Sequence, residues 1–365
     1  MKKSVFTLAI ALAFAFAGSA TAQESNKPSP KPFSHLDLGV SLGSTGVGID
    51  LAAPLNDNIG LRTGFDYMPR FEHNMHFDVQ SFDDQGNIIT SKLDKLTSTM
   101  YDLTGYHVDG TIDMVGKPTM WNFKLLVDFR PFRNKQWHLT AGFYWGPSKI
   151  AEAVNTIEDS PTLFAIGMYN HLYDNALNSY FGNPEPLVPT GTDEDGNPDG
   201  IFLDGLIQDK LLAYGRMGIR VGDYVDGHWL TQYVRDEDGF IVFDENDNPI
   251  TEYVLDENGN KIPAPYRMEP DGNSMVSARV TTNSFKPYLG FGYGGRLMKG
   301  DDRYTVSFDA GLMFWGGTPD IITHDGTNLS KDVQNINGKV GRYVDIIKGV
   351  KAYPVLNLRI TRRLF

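Results

Sequence analysis

The sequence predicts an all-β fold: an eight-stranded antiparallel up-and-down transmembrane β-barrel with a large extracellular α+β insertion. Three observations lead there. Eight segments of roughly ten residues alternate apolar with small or charged side chains, the length a tilted membrane strand needs. Their connections are short at one end of the strands and mostly long at the other. The chain also opens with an export signal.

The signal is read from residues 1–22. Lys2 and Lys3 form a positive start, an apolar run follows from Val5 to Ala17, and Ala20-Thr21-Ala22 fits a cleavage site, so the mature chain is expected to begin at Gln23. The run is short for a bilayer-spanning helix. Residues 23–34, with Pro28, Pro30 and Pro32, read as a periplasmic lead-in. With no cysteine anywhere, disulfides, thiolate metal sites and a lipidated cysteine are all excluded.

The barrel is assigned to residues 35–365. In the first hairpin Leu36, Leu38, Val40 and Leu42 oppose Asp37, Gly39, Ser41 and Gly43. After Ser44-Thr45-Gly46, Val47, Ile49 and Leu51 oppose Gly48 and Asp50. Strand three places Leu61, Thr63, Phe65 and Tyr67 against Arg62, Gly64 and Asp66. The pattern resumes with Trp121, Phe123, Leu125, Val127 and Phe129 against Asn122, Lys124, Leu126, Asp128 and Arg130. Trp137, Leu139, Ala141, Phe143 and Trp145 follow, against His138, Thr140, Gly142 and Tyr144. The last three strands run from Phe285, from Tyr304 and through Leu356, Leu358 and Ile360. Period-2 alternation puts the two sets on opposite faces. A soluble β-sandwich alternates too, but its polar face meets water. Here that face mixes glycine and serine with isolated charges of both signs, which suits a narrow lumen.

The lumen set is Asp37, Asp50, Asp66, Asp128 and Asp309 beside Arg62, Lys124, Arg130, Lys286 and Arg359. An eight-stranded barrel is only wide enough for side chains to fill, so these five acids and five bases are expected to neutralise one another in a network. Tyr67, Trp121, Trp137, Trp145, Tyr304 and Trp315 sit near strand ends and are expected in the membrane-interface girdles. The long connections are residues 73–118, 151–283 and 317–350. Both termini are therefore expected in the periplasm and the long loops outside the cell. A ten-stranded barrel recruiting residues near 216–225 and 274–282 is the alternative.

The opening hairpin, the short turns and the ending Pro354-Val355-Leu356-Asn357-Leu358-Arg359-Ile360-Thr361-Arg362-Arg363-Leu364-Phe365 resemble the small outer-membrane barrels of the OmpA/OmpX-like class. That resemblance implies that Phe365 is the assembly signal read by the barrel-insertion machinery. Alternate positions counted back from Phe365 are Arg363, Thr361 and Arg359, one register away from the apolar set. The resemblance also implies contact with outer-membrane lipid and lipopolysaccharide. It covers the strands and turns and leaves the outer loops unaddressed.

Residues 151–283 hold 24 acidic and 7 basic side chains, a net of −17, while the rest of the mature chain is near +3. Within this insert Ser160-Pro161 predicts a helix start running to Gly182, and a second helix is expected from Ile201 to Tyr214, closed by Gly215. Residues 228–262 read as short strands between Asp/Asn/Gly turns. Asp193, Asp195, Asn197 and Asp199 alternate oxygen ligands as a calcium loop does, but Pro198 occupies the position that requires glycine; solvated Asx turns are the favoured reading, and no metal site is assigned. His73 and His76 lack metalloprotease spacing, and no nucleophile elbow is present. No catalytic residue and no cofactor is assigned. The acidic insert disfavours nucleic acid.

The expected function is therefore an outer-membrane barrel with a structural or surface-recognition role, adhesion or ligand binding, toward an extracellular glycan or protein. A narrow channel or the membrane subunit of a larger assembly is the alternative, and a surface enzyme the third.

Overall fold

The computed structural model describes residues 31–82, 97–98, 101–102, 105, 110–132, 135–237, 241–245, 248–298, 301–336 and 338–364. The residues read as a signal peptide, most of those read as a periplasmic lead-in, and Phe365 lie outside the described residues.

Eight strands close into an antiparallel barrel: β1 (Asp37–Gly43), β2 (Gly46–Pro54), β3 (Ile59–Tyr67), β4 (Trp121–Phe129), β5 (Trp137–Trp145), β6 (Phe285–Met298), β7 (Asp301–Phe314) and β8 (Ala352–Arg363). Each pairs with its neighbours in the chain, and β1 closes on β8 with Val40 opposite Ile360 and Ser41 opposite Arg359. The stretches near 216–225 and 274–282 pair elsewhere, so the barrel has eight strands and not ten. The alternation explains closure. In β8, Val355, Asn357, Arg359 and Thr361 are buried, while Leu356, Leu358 and Ile360 point out and are exposed. Val40, Leu42, Ile49, Leu289, Phe291 and Phe308 are likewise exposed, forming an apolar belt around the barrel. Such a belt far exceeds the patches a water-soluble monomer tolerates. No described helix is long and apolar enough to cross a membrane.

The barrel wall does not stop at the ends of β3–β7. Five further strands, His73–Asp78, Thr111–Pro118, Lys149–Asn155, Ser277–Thr281 and Asp320–Thr323, form a sheet in the same lateral order as β3, β4, β5, β6 and β7, to which they are joined in the chain. The strands are interrupted just after Pro118, which still pairs with Ala151, and at Gly146-Pro147 and Gly316-Gly317. Gly316 has φ +87°, and a Cβ there would lie 1.8 Å from Asn283 Nδ2. That position admits only glycine. β1 and β2 instead turn tightly at Ser44-Thr45.

Among the described residues, three helices with full bounds accompany this sheet: α1 (Ser160–Tyr180), α2 (Gly205–Tyr214) and α3 (Gly338–Gly349). Pro161 opens α1, and the sequence expectation of a helix there holds. α2 begins four residues later than the pattern suggests because Asp204, in an extended conformation, caps it by accepting from the Leu206 amide at 2.9 Å. The sequence reading did not anticipate α3, although Val340, Val344 and Ile347 carry a helical spacing.

Sheet and helices share one hydrophobic core. Ile112 and Met114 come from the first long connection, Leu163, Ile166, Tyr169, Leu211 and Met217 from the second, and Val333 and Val344 from the third. The three connections thus build a single cap domain. Across its open side α3 meets the edge strand through His73 Nε2 and the Tyr343 hydroxyl, 3.2 Å apart.

Candidate functional site

Two regions concentrate polar chemistry: the barrel lumen and the cap. In the lumen, alternation aims every second side chain inward, and the small barrel brings opposite walls within reach. The Arg62 guanidinium donates to Asp128 Oδ1 at 2.9 Å and to Asp309 Oδ2 at 3.2 Å. His138 Nε2 is 2.8 Å from Asp309 Oδ1, and the Thr140 hydroxyl donates to Asp128 at 2.8 Å. A second cluster lies beside it. Lys124 Nζ donates to Asp66 at 2.7 Å and sits 3.7 Å from Asp50, whose other oxygen accepts from Arg359 Nε at 2.7 Å. Thr45, in the tight β1–β2 turn, donates to Asp66 at 3.0 Å. These groups are nearly fully buried, so each charge depends on its partners.

The ten residues assigned to the lumen therefore do not form one network. Asp50, Arg62, Asp66, Lys124, Asp128, Asp309 and Arg359 meet in the two clusters. Asp37 lies at the turn end of the barrel, 3.7 Å from both Arg363 and His35. Arg130 is half-buried beside Gly60 at the same end. Lys286 departs most from the expectation. It is fully buried, but its ammonium reaches only neutral oxygens, those of Asn122, Pro147 and Ser284, each at 3.4 Å. It is held by carbonyl dipoles, and among the described residues no carboxylate pairs with it. His138 and Thr140, which the sequence places on the inner face, join the clusters and were not singled out as network members; their polarity on an inward register was the available signal.

Beside these charges, level with Lys124 and Lys286, the lumen also holds an apolar group. Tyr144 and Tyr288 pack edge to face with centroids 5.4 Å apart, and Leu126, Met313 and Val355 fill the space around them. Met120 and Trp315 lie in the same cluster. Trp315 corrects the girdle assignment: it is 5% exposed and donates its indole N–H to the Val350 carbonyl at 2.8 Å, so it packs between barrel and cap. Trp315 shares the parity of Asp309 and Met313, which are buried, and follows Phe314, which is exposed, so the alternation of this strand itself turns it inward. Tyr67, Trp121, Trp137 and Trp145 are exposed on the outer surface, where Trp121 meets Trp145 and Phe65, and Trp137 meets Tyr293. Tyr304 is half-exposed beneath the Arg362 guanidinium, 5.9 Å from its ring centroid.

In the cap, buried polar groups hold α1 in place. Tyr169 donates to the Gly215 carbonyl at 2.9 Å, and Asn170 exchanges hydrogen bonds with the Met217 backbone, both at 2.9 Å. Burial raises the Tyr169 pKa well above that of free tyrosine. Arg216 bridges Asp174 and Glu269. Beyond this core, residues 228–264 stack as two three-way hydrogen-bonded rings. One links the backbones of Val234, Val242 and Ile250; the other links Leu230, Val254 and Ile262. At the turn tips Asp244 and Asp256 accept from the amides of Asn248 and Asn260 at 2.9 and 2.8 Å.

Asp193 has the same role. Its carboxylate accepts from the amides of Asp195 and Asn197 and from the Asn197 side chain, and these hydrogen bonds, led by those from Asn197, lower its pKa. The side chain is thus engaged within its own turn. Among the described residues no three His, Asp or Glu side chains converge as a metal site would require. His73 and His76 face different partners, Tyr343 and Asp113.

No protein-family model matches this chain, and no curated protein matches it in sequence. Among solved structures it is similar to crystal structures of Acinetobacter baumannii CarO2 and CarO, at 12% identity and a TM-score of 0.33 in each case. The alignments cover 91% and 92% of this chain and 99% of each of those chains. A likeness this loose carries no functional argument, and the barrel assignment stands on the strand pairing itself.

Proposed function

We propose that this chain is an outer-membrane protein in which a filled barrel is the anchor and the cap is a surface-recognition domain. One contrast carries the reading. The barrel interior is occupied by cross-wall ion pairs and an aromatic layer, whereas three separate connections combine into a domain with its own core. A conducting pore needs an open lumen and gains nothing from that cap. A recognition protein needs a rigid pedestal and a structured surface.

The apolar belt supports placement in a bilayer, and closure without free strand edges is the form in which β-structure crosses one. On this reading the short turns and both termini face the periplasm, the cap faces outward among lipopolysaccharide, and the barrel-assembly machinery inserts the chain, as in the OmpA/OmpX-like class it resembles. The role is non-enzymatic, toward an extracellular glycan or protein.

The test compares the full chain with a variant whose three long connections are replaced by short turns. Both should insert and migrate differently on a denaturing gel with and without boiling, and both should be silent in planar bilayers. Only the full chain should bind an array of glycans and extracellular-matrix proteins. Steady single-channel conductance of the full chain, or equal binding by both, would overturn the proposal.

A further inference from the structure

The cap carries a cleft of about 580 Å³ whose walls come from two different connections. One wall follows the strand Arg216–Tyr224 and the other precedes Val333-Gln334, and they are tied by the pairing of Tyr224 with Val333 and by the Val225 amide donating to the Asp332 carbonyl at 2.9 Å. The cleft is therefore built by tertiary structure and is braced on both sides.

Its chemistry is specific. Tyr224 and His228 stack face to face with centroids 4.2 Å apart, and His228, the outer ring, is exposed. Asp325 lines the same cleft, an exposed carboxylate that is nonetheless fixed. Oδ1 accepts from the Thr323 hydroxyl at 2.5 Å and the Thr327 amide at 3.0 Å, and Oδ2 accepts from the Tyr266 hydroxyl at 2.9 Å. Tyr266 and Thr323 beneath it are each 1% exposed, so the acceptor rests on a rigid floor. Asp226 and Asp332 also line the cleft, while its lysine, Lys331, is engaged by Asp320 at 2.7 Å. An exposed aromatic ring and oriented acceptors in one cleft, with little cationic character, suit a ligand that has an apolar face and hydroxyl donors. The three carboxylates oppose an anionic ligand, and among the described residues they do not converge as metal ligands do.

We infer that this cleft is a binding site for an uncharged saccharide ring, stacked on His228 with a hydroxyl donating to the acceptor capacity that Asp325 retains. The inference rests on the recognition role proposed above and names its ligand class. The volume falls in the range of small-molecule sites.

The experiment uses the full chain in detergent micelles on an array of neutral, amino, sialylated and sulfated glycans, followed by calorimetry with the best neutral hit. Asp325→Asn keeps the side-chain shape and removes the charge; His228→Ala removes the outer ring. Each should weaken neutral-glycan binding about tenfold or more, with an unchanged gel shift on heating and unchanged near-UV circular dichroism. His228 lies at the surface, so its variant reads out binding even where Asp325→Asn disturbs the loop. Absence of neutral-glycan binding, a preference for sialylated or sulfated glycans, or binding indifferent to both substitutions would each overturn the inference. If the cap-dependent binding is to matrix proteins and neutral sugars do not compete for it, the cleft inference falls and the recognition reading stands. If the capless barrel binds equally well, the recognition reading falls first.

Discussion

Arg62 on β3 reaches Asp309 on β7, four strands away around an eight-strand circle, so this ion pair spans the diameter of the barrel. Asp128 on β4 shares the same guanidinium at 2.9 Å. Removing one member of a buried pair leaves its partner charged in a low-dielectric interior, which typically costs about 3–5 kcal/mol. Arg62→Met should therefore lower the temperature at which the barrel converts to its unfolded mobility, and should lower the urea midpoint in lipid vesicles by the equivalent amount. Pairing it with Asp128→Asn and Asp309→Asn should restore part of the loss. A single variant as stable as the parent would show that hydration of the lumen compensates.

The cap core is laterally distinct from the lumen, and substitutions should separate the two. Leu163 is fully buried in the cap cluster, so Leu163→Ala should cost about 2–5 kcal/mol. Limited proteolysis should then cut the three long connections faster while the heat-dependent gel shift of the barrel stays in place. Simultaneous loss of both would mean that cap and barrel fold as one cooperative unit.

Tyr169→Phe should be milder. It leaves the Gly215 carbonyl without its buried donor, a loss of about 1–3 kcal/mol. Cap unfolding followed by near-UV circular dichroism should shift in that proportion, and glycan or matrix binding by the folded protein should not change.

Cap stability should fall at both ends of the pH scale. For Asp325, burial alone raises the carboxyl pKa, but hydrogen bonds from Thr323, the Thr327 amide and Tyr266 outweigh it, so the folded value lies below the ordinary one. A depressed pKa gives stability that is present above the unfolded value, about 3.9, and is lost as pH falls through the folded value. Tyr266 is shifted upward by burial, so its contribution is present below about pH 10 and is lost as pH rises beyond it. Cap unfolding should be flat between about pH 5 and 9 on these grounds. The acid limb should shrink in Asp325→Asn; an unchanged acid limb would place its origin in other groups.

Gly316→Ala tests the hinge between wall and cap. Both the positive φ and the approach to Asn283 oppose a side chain there. Asn283→Ala relieves only the second, so the double variant should remain less stable than Asn283→Ala alone, measured by protease resistance of the cap.

The eight barrel strands were legible because a two-residue period is local and is set by the membrane on one side and a packed lumen on the other. β3 and β5 begin and end where the alternation does. The first two cap helices were legible for the same reason: Pro161, Asp204 and Gly215 act on their own neighbours. The site was less legible. Alternation told which charges face inward, but not which would meet, because contacts across a barrel depend on tilt and stagger. Seven of the ten assigned residues converge, while Lys286 lands beside neutral carbonyls and Asp37 and Arg130 lie at the turn end. Trp315 has the position of a girdle residue at a strand end, but its parity is that of the inward-facing Asp309 and Met313, and it packs with Met313 and Val355.

By itself, then, the sequence determined the barrel and the acidity of the longest connection, both consequences of short-range patterning and composition. Eight strands against ten was settled by the pairing of residues 216–225 and 274–282 outside the barrel. Only the tertiary structure decided that the wall continues into the cap, that three connections share one core, and that Tyr224, His228 and Asp325 line one cleft. The physical reason is distance along the chain. Asp325 stands about a hundred residues from Tyr224, and nothing local couples two such positions until backbone pairing between Tyr224 and Val333 brings them together.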